Sequence, residues 1–99
     1  MIVRISDVAE RDLENIADYI AEDNPARARA FVQELRTAAL ILGDFPSRYP
    51  LLVNYEHRGV RRRPHEKYLI FYTIETDHVA IVHILNGAQD YEPILFPNG

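Results

Sequence analysis

Apolar residues recur along this chain with two different spacings, and the change of spacing divides it into parts. Ile2-Val3-Arg4-Ile5 sets β-branched residues around one Arg, the pattern of a short strand with one buried face. From Asp7 the period lengthens: Leu13, Ile16, Ala17 and Ile20 fall at i, i+3, i+4 and i+7, which predicts an amphipathic helix over 8–22. Asp7 and Glu10 have the spacing of a capping box at its start. Asn24-Pro25 then signals a second helix, because Asn accepts from first-turn N–H groups and Pro at the first position gives up only an unused donor. Its stripe is Ala28, Phe31, Val32, Leu35, Ala38, Ala39 and Leu42, and Gly43 is expected to end it in the left-handed conformation. The short link Asp23-Asn24 predicts an antiparallel helical hairpin.

Beyond the hairpin, Pro46 and Pro50 mark 44–50 as a loop, with Phe45 and Tyr49 expected to pin it to the core. Strands are predicted over 60–63, 67–75 and 78–85, separated by a bend at Pro64-His65-Glu66 and a turn at Thr76-Asp77. Asn86-Gly87 closes the last strand, and residues 91–99, with Pro93 and Pro97, are expected to run as an extended tail. The resulting class is α+β: residues 1–99 as one domain, with an N-terminal strand and a helical hairpin packed on a small, mainly antiparallel sheet. If Tyr68, Ile70, Tyr72 and Ile74 face the helices, then Leu69, Phe71, Val79, Ile81 and Leu85 are left for the other face. That face needs a partner, or a tail folded back through Tyr91, Ile94, Leu95 and Phe96.

Composition narrows the possibilities. Ninety-nine residues suffice for one hydrophobic core, and the absence of Cys removes disulfides, thiolate metal ligands and a Cys nucleophile. A reducing, cytoplasmic setting is the expectation, with no basic leader before an apolar stretch and no apolar run near the roughly 20 residues that a membrane span needs. The net charge of −4 is unevenly distributed. Residues 7–44 hold nine Asp or Glu against four Arg, whereas 45–67 hold six Lys or Arg against two Glu. An acidic helical half therefore adjoins a basic strand region.

Most catalytic constellations are missing. His57, His65, His78 and His83 show no paired-ligand spacing, so neither metal nor cofactor is expected, and His83 reads as a half-buried residue bonded to a neighbour. Ser6 and Ser47 lie outside any nucleophile elbow, and the glycines are too scattered for a phosphate loop. The first-helix carboxylates, Asp12 among them, read as a solvated face. The distinctive feature is Arg58, Arg61, Arg62, Arg63 and Lys67, with His57 and His65 among them. Strand alternation puts Arg61 and Arg63 on one face and Arg62 on the other. Such a cluster suits RNA phosphate or an acidic protein segment, and equally suits an edge strand that uses charge against aggregation.

The order of motifs resembles the ParE/RelE toxin superfamily over about residues 2–91. The resemblance lies in Asp12-Leu13, Ile16-Ala17-Asp18-Tyr19-Ile20, Phe45-Pro46, Val60-Arg61-Arg62, Tyr68-Leu69-Ile70-Phe71-Tyr72 and Ile84-Leu85-Asn86-Gly87-Ala88-Gln89-Asp90. It implies the toxin of a bacterial type II toxin–antitoxin module, held in a hetero-oligomer by a ParD-like antitoxin that alone contacts DNA. ParE-like members poison DNA gyrase by binding, whereas RelE-like members cut mRNA on the ribosome. This chain has Leu69 where nucleases of the family place Arg, and Asn86 and Gln89 where the ParE-like branch commonly has His and Arg. The expectation is thus a non-enzymatic gyrase inhibitor that meets its antitoxin through Arg61, Arg63, Lys67, Leu69 and Phe71, with no residue assigned to the target. Two alternatives stand beside it. One is a metal-free ribonuclease using Arg61, Arg63, His65, Lys67 and Tyr91; the other is a degenerate toxin that only binds antitoxin.

Overall fold

Strand β1 (Ile2–Ile5) runs straight into helix α1 (Asp7–Ala21), and Ser6 serves both elements. Ser6 Oγ accepts the Ala9 N–H at 3.0 Å, which makes Ser6 the cap and moves the start one residue ahead of the expected Asp7–Glu10 box. Asp7 and Glu10 instead lie in the first turn, where negative charge suits the helix dipole. Helix α2 (Pro25–Ile41) starts as anticipated, with Asn24 Oδ1 accepting from the Arg27 N–H at 3.1 Å and Pro25 at the first position. The computed structural model describes residues 1–99.

Gly43 does a different job from the one expected. Its backbone is not left-handed. Instead, the Met1 carbonyl oxygen lies 2.2 Å from where a Cβ would be, and the Met1 ammonium donates to the Gly43 carbonyl at 2.8 Å. Glycine is required because β1 begins against the end of α2 with no room for a side chain.

Strands β2 (Val60–His65), β3 (Tyr68–Ile74) and β4 (His78–Asn86) complete a sheet of order β1-β4-β3-β2. β1 lies parallel to β4 and the other pairs are antiparallel. Pro64 and His65, expected in a bend, belong to β2; the turn falls at Glu66 and Lys67, with Glu66 at φ 53°. Pro64 is tolerated because β2 is an outer strand. Its other edge is closed at the start by backbone bonds from Leu52 N–H to Val60 and from Arg62 N–H to Pro50.

A bulge interrupts the β3–β4 ladder: Tyr72 pairs with Ile81 and Phe71 with His83, which leaves Val82 as the extra residue. Because one inserted residue reverses the alternation, Val79 and Ile81 before the bulge and Ile84 after it all reach the helix-side core. The expectation that Val79 and Ile81 face away from the helices is thereby corrected. That core joins Leu13, Phe31 and Leu35 from the helices to Ile70 and Tyr72. Tyr72 is fully buried, and burial raises its phenol pKa, so it stays protonated and donates to the Pro46 carbonyl at 2.7 Å. Tyr49 packs at the core margin, but Phe45 is 62% exposed and pins nothing.

The opposite sheet face is covered by the chain itself. Residues 92–95 form a helical turn, α3 (Glu92–Leu95), rather than an extended tail. Phe96 then inserts into a second cluster with Leu52, Val60, Phe71 and Leu85. Its ring stacks on Tyr55 with centroids 4.5 Å apart, and the Arg58 guanidinium lies 4.5 Å from its centre. Phe71, expected as an exposed partner contact, is 0% exposed beneath Tyr91, and Leu69 is half-buried at the same cluster. The tail supplied what the sheet face needed, so Phe71 is not free to meet a partner.

Gly43→Ala should cost about 1–3 kcal/mol, the usual range for overpacking, since Met1 or α2 must shift. Chemical denaturation would measure it, and an unchanged midpoint would refute the close-approach argument.

Candidate protein-binding site

The basic strand is built as alternation requires, but its guanidinium groups are already engaged. Arg61 donates to the Tyr49 carbonyl at 2.7 Å and reaches Ser47, and Arg63 donates to the Ala38 carbonyl at 2.7 Å. Arg63 also lies over the Tyr49 ring, 5.3 Å from its centre. These contacts fasten the 44–50 loop and the last turn of α2 to β2, and the Ala38 bond satisfies one of the carbonyls left free at a helix end. Arg62 points to the other face and donates to the Tyr91 hydroxyl at 3.1 Å. The residues considered for ribonuclease chemistry are therefore split: Arg61, Arg63 and His65 on the helix side of the sheet, Tyr91 on the tail side. Lys67 is exposed at the β2–β3 turn.

A groove of about 560 Å³ runs between α2 and β2, with Ala30, Gln33, Glu34, Thr37 and Ile41 along one wall and Arg63 and His65 along the other. Arg63 Nε and His65 Nε2 are buried there without a hydrogen-bond partner. His65 Nε2 lies 3.5 Å from Glu34 and 3.9 Å from Glu66, near enough for ionic attraction when protonated but too far for a good hydrogen bond. Arg27 bridges the same carboxylates, at 2.7 Å from Glu34 and 3.5 Å from Glu66. One ligand atom each from Glu34, His65 and Glu66 falls within a 4.8 Å cluster, a convergence that sequence spacing hid because it joins α2 to the distant turn. With a guanidinium already on both carboxylates, the cluster is chemically an ion-pair network that ties the turn to α2.

The more revealing arrangement lies where α1 crosses the bulge. Asp12 Oδ2 accepts two hydrogen bonds of 2.8 Å, one from His83 Nδ1 and one from the Ile84 N–H. Ser6 Oγ also reaches the Val82 carbonyl, at 3.4 Å. The bulge thus exposes backbone groups that the helix satisfies. Asp12 is only 14% exposed at its side chain, which corrects the reading of it as part of a solvated face. His83 meets its expectation of a half-buried residue with a hydrogen-bonded neighbour. Sequence reasoning missed the pairing because a bulge leaves no mark in the alternation beyond one misplaced residue, Val82.

Next to this pair, a cavity of about 450 Å³ opens between α1 and the end of β4. Asp12, Asn15 and Tyr19 line it from one side, and Tyr68, His83, Asn86 and Gln89 from the other. The motif residues Asn86 and Gln89 therefore share a concave surface with Asp12, 71 residues from His83 in sequence.

Asp12→Ala should destabilise the protein by about 3 kcal/mol, because it strands two donors, whereas Asp12→Asn, which keeps an acceptor oxygen, should cost less. Urea titration would rank them; equal costs would show that the carboxylate bonds do not matter. The Arg27 bond lowers the Glu34 pKa, with His65 adding a smaller pull. A depressed carboxylate pKa contributes stability above the ordinary carboxylate range and loses it as pH falls through the lower folded value. Glu34→Gln should therefore lower stability in the neutral region and flatten the acid limb of a stability–pH curve, with the two proteins converging at the acid end.

No curated protein sequence matches the chain. Among solved structures, one from the chromosomal ParDE TA system of P. aeruginosa has the same fold, with a TM-score of 0.74 and 21% identity over 87% of this chain and 95% of that one. The model of the ParE toxin of type II toxin–antitoxin systems, parDE, matches residues 3–91, nearly the whole strand, hairpin and sheet frame described above. The chain belongs to the ParE toxin family of type II toxin–antitoxin systems, and that membership implies a cognate antitoxin partner.

Proposed function

We propose that this toxin acts by binding rather than catalysis, with DNA gyrase as its target, and that a ParD-like antitoxin neutralises it within a hetero-oligomer and supplies any contact with DNA. The observation that carries this reading is the division of the ribonuclease candidates between two sheet faces. A phosphodiester transition state needs a proton carrier and cations around one reacting atom. Here Tyr91 is bonded to Arg62 on the tail side, and the guanidinium groups of Arg61 and Arg63 are tied to the toxin's own carbonyls.

The antitoxin contact is assigned to Arg61, Arg63 and Lys67 on and beside β2, with Arg63 on the wall of the α2–β2 groove. The groove takes an amphipathic segment whose apolar side chains pack on Ala30 and Ile41 and whose acidic ones are drawn to the positive charge of Arg63 and Lys67.

Arg63→Glu and Lys67→Glu, checked for folding by circular dichroism, should each weaken the antitoxin complex by about tenfold or more. Arg62→Glu, on the opposite face, should leave affinity nearly unchanged. If Arg62→Glu weakens binding as much as the other two, the groove is not the interface. Purified toxin should inhibit gyrase supercoiling and spare ribosome-bound mRNA; mRNA cleavage with gyrase unaffected would overturn the binding reading.

A further inference from the structure

The geometry points to a second recognition site: the cavity between α1 and the end of β4 receives an arginine or lysine side chain from a protein partner. This inference does not depend on the groove or on the identity of the toxin's target.

The argument rests on what lines the cavity. It holds one carboxylate, three side-chain amides, two phenol rings and an imidazole, and none of its residues is Lys or Arg. An anionic ligand would find no cation there. A cation finds several acceptors. Asp12 Oδ2 is occupied by His83 and Ile84, but Asp12 Oδ1 makes no hydrogen bond within the chain. Because an ionised carboxylate only accepts, His83 Nδ1 carries the hydrogen of that bond, and in the neutral ring Nε2 is left as a lone-pair acceptor. His83 Nε2 has no partner either, and it is not among the sealed polar atoms, so solvent reaches it. The amide oxygens of Asn15 and Gln89 add further acceptors at the sides.

Long-range charge acts in the same sense. Helix α1, which carries Asp12, Asn15 and Tyr19 on one face, holds five acidic residues and a single Arg. The cavity therefore opens beside the acidic helix, and Lys67 at the β2–β3 turn, next to Tyr68, lies outside its lining. Its rim is apolar: Tyr19 is 70% and Ile94 38% exposed. A cationic head on the floor with apolar neighbours on the rim is the signature of a side chain presented by a polypeptide. A free amino acid would leave that rim uncovered. The exposed Tyr19 ring also offers a face for cation–π contact.

The test is an NMR titration of the ¹⁵N-labelled full chain with acetyl-Leu-Arg-Leu-amide, its citrulline counterpart and free arginine. The expected result is a saturable shift centred on His83, Ile84, Asn86 and Gln89 with the arginine peptide. The uncharged citrulline peptide should bind at least about tenfold more weakly, since a charge-assisted hydrogen bond is roughly twice as strong as a neutral one. Gln89→Lys places a competing cation at an exposed position without touching the bulge, and it should abolish the shift while leaving the fold intact. Tyr19→Ala should weaken binding severalfold. Equal binding of the citrulline peptide, shifts centred on Glu22 and Asp23, or an unaffected Gln89→Lys variant would overturn the cationic site. Free arginine binding as tightly as the peptide would overturn the assignment to a protein partner.

Discussion

The carboxylate of Asp12 is the point on which the geometry of this toxin turns. A four-stranded sheet with a parallel outer strand must place the helical hairpin over one face and keep it there. The bulge at Val82 creates both the problem and the solution. It brings Val79, Ile81 and Ile84 to the same core despite their mixed spacing, and just beyond it the Ile84 N–H donates to Asp12 of the helix. A buried free donor costs about 1–3 kcal/mol, comparable with a large part of a small domain's net stability. Asp12, one turn into α1, removes that cost and also fixes the rotamer of His83. One side chain therefore ties helix α1 to the bulged strand at the edge of the adjoining cavity.

The arginines illustrate how a charged cluster can be structural and remain suited to recognition. Free arginines at a surface lose rotamer entropy when a partner orders them, about 0.5–1.5 kcal/mol per side chain. Arg61 and Arg63 are already held by the carbonyls of Tyr49 and Ala38, so that cost is met during folding. What remains for a partner is the positive charge of Arg63, held at a fixed place on the groove wall. An edge strand that carries Pro64 and bonded guanidinium groups also resists pairing with other strands. The two readings that the sequence left level, protection of an edge and recognition of an acidic partner, are thus compatible in one strand.

How much of this could be read before seeing the structure depends on whether the cause is local. Helix starts at Asn24-Pro25, the stripe from Phe31 to Leu42, and the split of Arg61 and Arg63 from Arg62 are consequences of nearest-neighbour chemistry, and all stand in the structure. The failures are non-local. Gly43 reads as a helix terminator unless the Met1 carbonyl is known to press on it. Phe71 reads as exposed unless Tyr91 and Phe96 return over it, and Pro93 and Pro97 conceal a helical turn because both residues also punctuate extended chain. Asp12 looked like one more solvated acid on a helix rich in them. Only its contact with a strand 71 residues away distinguishes it.

A 99-residue toxin has little interior to spare, and this one divides it into two clusters on opposite sheet faces. The larger is closed by the hairpin and the smaller by the tail, so neither sheet face offers a broad apolar surface. The concave surfaces lie instead at the seams, where helix meets strand: the α2–β2 groove with Arg63 and His65 on one wall and the α1–β4 cavity with its acceptors. Because both seams are lined by elements held through side-chain-to-backbone bonds, their shapes are fixed by the same contacts that stabilise the fold.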